Sequence, residues 1–103
     1  MSHKDQPQSK QLRAIGHRLK PVVTIAANGV SERVVTELER ALHDHELIKV
    51  KLAAGSREAR SALSSAICER TGAELVQRIG NTVLLLRRTA KPDPRLSNLI
   101  RPL

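Results

Sequence analysis

The stretch of residues 19–31 constrains the fold most, because three kinds of local structure follow one another within it. Pro21 disfavours the helical region for the residue before it, so a preceding helix has to end there. The β-branched run that follows predicts a short buried strand. Asn28 and Gly29 tolerate positive φ and predict a turn, and Ser31 is a candidate N-cap. The stretch therefore predicts a strand that a tight loop joins to the start of a helix.

The loop of residues 26–29 has two interpretations. A helix start that is reached through a loop of small residues presents unpaired backbone N–H groups, and these can hold a phosphate group. Every βαβ unit also has a loop between its strand and its helix, and that loop can be a mere connection. The loop residues alone leave both interpretations open.

Composition favours a polyanion as the partner of this chain. The 103 residues are enough for one domain, and they carry a net charge of +8 at pH 7. A small domain this basic is usually held to a polyanion. The chain has no Phe, Tyr or Trp, so its core must consist of Val, Ile, Leu and Ala. Because RNA-recognition-motif sheets and oligonucleotide-binding barrels stack bases on aromatic rings, neither class is expected.

Two features of the sequence predict the cellular compartment. Cys68 is its one cysteine, which excludes an internal disulfide and suits a reducing compartment. No apolar run approaches membrane-spanning length, and the polar residues 1–8 contain no signal-peptide core. We therefore expect a cytoplasmic protein with no membrane partner, and we expect residues 1–8 to be disordered.

Hydrophobic periodicity predicts three helices and four strands. Apolar residues recur at helical spacing in the helices, and they alternate or run together in the strands. Gly80 and Asn81 separate the last two strands and predict a two-residue hairpin turn. The predicted helices span 10–19, 31–45 and 57–71, and the predicted strands span 22–26, 47–52, 74–79 and 82–88.

The element order α-β-α-β-α-β-β predicts a single compact α/β domain over residues 9–89. Helical crossovers between the first three strands should be right-handed and should make parallel pairs. The hairpin adds the last strand antiparallel, so the strands form one mixed four-stranded sheet. Residues 90–103 are basic, contain three prolines and lack periodicity, so this tail is predicted to be extended or disordered.

The sequence gives little support for an enzyme. The sequence contains no phosphate-loop, dinucleotide, zinc-protease or nucleophile-elbow motif. His43 and His45 flank an aspartate, which suggests a metal or acid–base site, but helix residues two apart face different ways. Histidines near a helix C-terminus are also favoured by its dipole. We predict no catalytic residue, no metal and no cofactor, and a packing role for Cys68. A small enzyme that uses the two histidines is the third hypothesis.

The charged residues are unevenly distributed. Residues 31–46 carry a net charge of −3, and their acidic side is expected to face solvent or a protein. The two ends of the chain and the later strands are positive, which favours a polyanion-binding face over a merely solvated basic exterior. The candidates for phosphate contacts are Lys10, Arg13, Arg18 and Lys20 near the first helix, Lys49 and Lys51 on one face of the second strand, and Arg78 and Arg87 in the last two strands.

Three segments, in this order and spacing, resemble the CRM domain family, which is named for chloroplast RNA splicing and ribosome maturation. They are L-K-P-V-V-T-I-A-A-N-G-V-S-E, H-E-L-I-K-V-K-L and T-G-A-E-L-V-Q-R-I-G-N-T-V-L-L-L-R-R. The resemblance covers residues 9–89 and is to the bacterial stand-alone, YhbY-like branch. It implies an RNA-binding α/β domain similar in fold to the C-terminal domain of bacterial translation initiation factor three.

The resemblance also implies a role for the loop. CRM domains carry a G-x-x-G loop after the first strand, which is thought to act like the backbone clamp of KH domains. The matching residues here are Ala26, Ala27, Asn28 and Gly29, so alanine replaces the first glycine. If that position requires positive φ, the backbone of Ala26 is strained. If it requires only a small side chain, alanine can replace glycine there.

As a function, the resemblance implies a non-enzymatic assembly factor that binds ribosomal RNA in precursors of the large ribosomal subunit. We expect it to be a monomer and to take no small-molecule substrate. The alternative is a protein-interaction adaptor, whose acidic second helix docks a partner while its basic segments tether it to the ribosome. Reversing the charges of Glu37 and Glu39 should separate these two hypotheses.

Overall fold

The structure is a computed structural model that describes residues 9–103, so the expectation for residues 1–8 lies outside it. The helices are α1 (Ser9–His17), α2 (Glu32–His45) and α3 (Arg57–Thr71), and the strands are β1 (Pro21–Ala26), β2 (Leu47–Ala53), β3 (Glu74–Ile79) and β4 (Thr82–Leu86). The predicted α/β domain and its element order are confirmed. Within residues 9–103, no helix has the length and apolar character needed to cross a membrane.

The strands form one mixed sheet in the order β1-β2-β4-β3. β1 and β2 pair in parallel, as predicted, and β4 runs antiparallel to both of its neighbours. The prediction of a parallel pair between β2 and β3 is wrong, because β4 lies between these two strands. The hairpin folds β4 back into that gap, where both of its edges find backbone partners and its apolar residues are buried.

Helices α2 and α3 cover one face of the sheet, which we call the covered face. Ile25, Ile48 and Leu85 point to this side and are fully buried. They pack with Leu38 of α2 and Ile67 of α3 in the larger of two apolar clusters. The buried residues of this cluster are all aliphatic, as the absence of aromatic residues predicts.

Helix α1 covers part of the opposite face, which we call the open face. Its Leu12 packs with Leu47, Leu84 and Leu86 in the smaller apolar cluster. The helix approaches the sheet closely at Gly16, where an added Cβ would lie 2.4 Å from Cδ2 of Leu84. Because α1 has nine residues and makes its main contacts with β2 and β3, it leaves the outer side of β1 exposed.

The predicted caps and turns explain why the elements begin and end where they do. Ser31 and Ser56 have extended backbones, and each hydroxyl accepts a hydrogen bond from an N–H in the first turn of its helix. Gly72 ends α3 in the left-handed conformation. In the β3–β4 hairpin Gly80 has a φ of 57° and Asn81 has a negative φ, which matches a type II′ turn.

The prediction that residues 90–103 are extended or disordered is wrong. Ser97 and Asn98 are buried against the end of α2 and the start of β2. The Asn98 N–H donates to the carbonyl of His45 over 2.9 Å, and its side-chain amide donates to the carbonyl of Leu47 over 2.7 Å. The tail therefore belongs to the folded domain.

Glu46 is the residue that anchors this tail. It follows α2 with a φ of 62°, which is uncommon for a residue with a side chain, and it is 3% exposed. Its carboxylate accepts hydrogen bonds from the Ser97 hydroxyl over 2.6 Å and from the Thr89 N–H over 2.8 Å. Both carboxylate oxygens are thus satisfied, which offsets the cost of burying the charge.

Candidate nucleic-acid interface

The loop that matches the G-x-x-G tetrapeptide is a tight, exposed turn. The Gly29 N–H donates to the carbonyl of Ala26 over 3.1 Å, which closes a β-turn. Gly29 has a φ of 110°, whereas Ala26, Ala27 and Asn28 all have negative φ. Alanine at the first position is therefore unstrained, and glycine is required only at the last. Since Ala26, Ala27 and Asn28 are exposed, the turn can approach an RNA backbone closely.

The start of α2, next to this turn, is only partly available to an anion. The Ser31 hydroxyl accepts from the Val34 N–H over 3.2 Å and so occupies one of the unpaired groups. Glu32 follows it, and its carboxylate pairs with Arg70 of α3 at 2.6 Å. This carboxylate opposes the attraction of the helix dipole for a phosphate. The turn itself, rather than the helix start, is therefore the stronger candidate.

Lys49 and Lys51 lie together on the open face. Lys49 pairs with Leu84 and Lys51 with Thr82 across β2 and β4, on the side that α1 partly covers. On the other edge of β2, Lys51 pairs with Thr24 of β1, whose side chain is also exposed. Within residues 9–103 neither lysine forms an ion pair. The predicted shared face is confirmed; Lys51 is exposed there and Lys49 is half-buried.

The basic residues of α1 add to this face. Lys10 and Arg13 are exposed along the helix, and Arg18 and Lys20 are exposed just after it. Arg18, Lys20 and Lys49 line one cavity of about 320 Å³. The end of α1 and the start of β2 therefore bring basic side chains that are distant in sequence to one place.

Arg78 does not join the lysines. It pairs with Val83 across the hairpin, and Val83 belongs to the cluster on the covered face. There Arg78 lines a separate cavity of about 300 Å³ with Arg57, Arg60 and Gly80. Arg78 can reach an RNA phosphate only from the other side of the sheet.

Arg87 is engaged inside the protein, which corrects the expectation that it faces a phosphate. Its Nη1 donates to the Glu39 carboxylate and to the Thr71 carbonyl, each over 2.7 Å. Its side chain is 26% exposed. Arg87, the residue after β4, therefore joins α2 to the end of α3, and its charge is compensated. A pairing between residues so far apart in sequence leaves no local signal in the sequence.

His45 and Cys68 also have structural positions. Nδ1 of His45 lies 2.9 Å from the Leu96 carbonyl oxygen, to which it donates a hydrogen bond. Cys68 packs against the larger cluster as predicted, and burial raises the pKa of its thiol. Residues 9–103 contain no group of three His, Cys, Asp or Glu side chains that could hold a metal ion.

The comparisons with known proteins find relatives that are named for RNA binding. The chain is 52% identical to a probable RNA-binding protein of Pseudomonas aeruginosa over 93% of this chain and 92% of that protein. It is 44% identical to an RNA-binding protein of Haemophilus influenzae over 78% of this chain and 81% of that one. The solution structure of a hypothetical protein from Staphylococcus aureus matches with a TM-score of 0.72 and 27% identity, covering 88% of this chain and 93% of that chain.

The family comparison covers the sheet, its helices and the exposed turn together. The model of the CRS1/YhbY (CRM) domain matches residues 5–87, which includes every helix and strand described above and stops before the tail. Together with the fold and the relatives, this match shows that the chain belongs to the CRS1/YhbY (CRM) domain family.

Proposed function

We propose that this chain is a non-enzymatic, cytoplasmic RNA-binding protein that acts on ribosomal RNA in precursors of the large ribosomal subunit as an assembly factor. The open face carries this proposal, since it presents Lys49 and Lys51 without an ion-pair partner among residues 9–103. The relatives from Pseudomonas aeruginosa and Haemophilus influenzae, which are named as RNA-binding proteins, support the choice of RNA. The ribosomal assignment rests on the resemblance to the YhbY-like branch.

The mechanism of binding follows from the geometry of the open face. The lysines of β2 and the basic side chains of α1 would contact successive phosphates, and the exposed turn at Ala26–Gly29 would approach the backbone directly. Because the chain has no aromatic side chain, stacking of bases on protein rings contributes nothing. Affinity therefore comes mainly from phosphate contacts, which position an RNA without reading its sequence.

Such an interface makes RNA binding depend strongly on salt. For about five neutralised phosphates, the logarithm of affinity falls with the logarithm of salt concentration with a slope of about −3.5 to −4.5. The slope is measured by titrating labelled ribosomal RNA fragments at several salt concentrations. A slope near zero would contradict a phosphate-based interface.

A matched pair of variants tests which face of the sheet binds. Lys51→Gln removes a charge from the open face, and we expect it to weaken RNA binding about fivefold at 0.1 M salt and to reduce the slope by about 0.7–0.9. Arg78→Gln removes a charge from the covered face, and we expect less than a twofold change. An equal loss of RNA affinity in both variants would show that positive charge on either face of the sheet contributes equally to binding.

The ribosomal part is tested by sedimentation of cell extract through sucrose gradients at low and high salt. We expect the protein to move with particles of the large subunit at low salt and to be released at high salt. A protein that stays at the top of the gradient at low salt would refute the ribosomal assignment while leaving RNA binding in place.

The adaptor hypothesis is less well supported, because part of the acidic side of α2 is used inside the domain. Glu32 pairs with Arg70, and Glu39 pairs with Arg87. Glu37 is exposed and is therefore a cleaner site for charge reversal than Glu39. If Glu37→Lys abolishes association with the particle but preserves binding to naked RNA, the adaptor hypothesis replaces the proposal.

A further inference from the structure

The tail completes the basic cavity at the end of α1. The cavity walls come from the segment after α1, the first residues of β1, the end of α2, the start of β2 and the tail. The tail contributes Asn98, Arg101 and Leu103. Its volume of about 320 Å³ lies at the lower end of the range for ligand pockets. The tail is therefore part of the wall of a preformed site.

The charged side chains around the cavity are all cationic. Its ionisable lining residues within the described chain are Arg18, Lys20, His45, Lys49 and Arg101. The nearest acidic residue in sequence, Glu46, is 3% exposed and points its carboxylate oxygens at Ser97 and Thr89. Like charges in one place repel one another unless an anion joins them. The cavity thus favours an anionic group.

Arg101 is held in a fixed position at this cavity. Its Nε donates to Oδ1 of Asn98 over 2.7 Å, while the Asn98 amide nitrogen donates to the Leu47 carbonyl. This chain of hydrogen bonds orients the guanidinium and leaves its terminal N–H groups for another acceptor. A planar guanidinium with several donors, beside lysine ammonium groups, suits a carboxylate or a phosphate. Phosphate is the anion that an RNA backbone offers.

We propose that the end of the tail, residues 98–103, forms part of the RNA-binding surface, and that the cavity it completes takes a phosphate group of the RNA backbone. This inference rests on the proposed function, because it assigns the RNA a further contact. The site adjoins the lysines of β2, since Lys49 lines the cavity and Lys51 follows it on the same face. An RNA strand on the open face would therefore extend from the exposed turn to the tail.

Two arginines of the same segment provide a matched test. Arg101→Gln removes a charge from the cavity, whereas Arg95→Gln removes the same charge from an arginine whose side chain is 89% exposed and pairs with Asp93. We expect Arg101→Gln to lower RNA affinity about fivefold at 0.1 M salt and to reduce the salt slope by about 0.7–0.9. We expect Arg95→Gln to change affinity by less than twofold. Equal effects of the two variants would overturn the inference.

A second probe makes this result independent of RNA. Inorganic phosphate is titrated into the full-length protein while NMR signals of the Arg101 Nε–H and the Asn98 side-chain amide are followed. Saturable shifts at these groups, absent in Arg101→Gln, support the phosphate site, and their absence in the unaltered protein overturns it. If phosphate binds but RNA does not, the proposed function fails and the cavity takes a free phosphate ligand instead.

Discussion

The two faces of the sheet differ in how completely the domain covers them. On the covered face, two helices enclose the larger apolar cluster, and Arg70 and Arg87 are paired with glutamates. On the open face, one nine-residue helix packs its Leu12 against three leucines of the sheet. Lys51 on this face is exposed, and Lys49 is half-buried. Under the proposed function, stability and RNA binding are largely separated across one sheet. Changes on the covered face should therefore act on folding, and charge changes on the open face should act on RNA.

Adjacent residues of β4 give the largest test of this comparison. Leu85 points to the covered face and Leu84 to the open face, and both are buried. We expect Leu85→Ala to lower the free energy of unfolding by about 3–5 kcal/mol and Leu84→Ala by about 2–3 kcal/mol, because the smaller cluster can relax toward the open side. Urea denaturation followed by circular dichroism measures both values. A larger loss for Leu84→Ala would reverse the assignment of stability to the covered face.

Arg87 gives a test of intermediate size, since it was a candidate for RNA contact and is engaged on the covered side. Arg87→Gln removes hydrogen bonds to Glu39 and Thr71. We expect it to lower the free energy of unfolding by about 1.5–3 kcal/mol, the usual range for a hydrogen bond to a charged group. RNA affinity, measured well below the unfolding temperature, should change by less than twofold. A loss of affinity like that of Lys51→Gln would place Arg87 in the interface.

The smallest expected effect is at the contact between α1 and the sheet. Gly16→Ala places a Cβ against Leu84, and overpacking of this kind costs about 1–3 kcal/mol. Alanine returns about 0.5–1 kcal/mol through its helix preference, so the net loss should be at most about 2.5 kcal/mol. In a double-mutant cycle, Leu84→Ala should relieve most of this loss, because it removes the clashing atoms. Strict additivity would show that α1 does not pack as described.

Local signals account for what the sequence predicted well. The bounds of α3 were predicted to the residue, since Ser56 marks its start and Gly72 its end. The alternation along β2 predicted that Lys49 and Lys51 share a face. The helical periodicity of the chain could not show that β4 enters between β2 and β3, because strand order depends on pairing between distant segments.

Long-range polar contacts account for what the sequence did not predict. Ser97 and Asn98 lie in a segment without periodicity, and their partners Glu46 and Leu47 are each 51 residues away. Arg87 and Glu39 are 48 residues apart. In the sequence, a polar residue that is buried by one distant partner cannot be distinguished from an exposed polar residue. The docking of the tail and the pairing of Arg87 with Glu39 were therefore not predicted.

The docked tail also has a consequence for the timing of contacts. Residues 93–103 contain turns but no helix or strand, and side-chain hydrogen bonds to the Glu46–Leu47 region hold them in place. Detaching this segment breaks far fewer interactions than separating β4 from its neighbours, so we expect it to open at a lower free energy than the sheet does. In an RNA complex held by β2 and the tail, the contacts to β2 and the contacts to the tail would therefore have different lifetimes. The strand would fix how long the RNA stays, while the tail releases and recaptures a single phosphate many times within that stay.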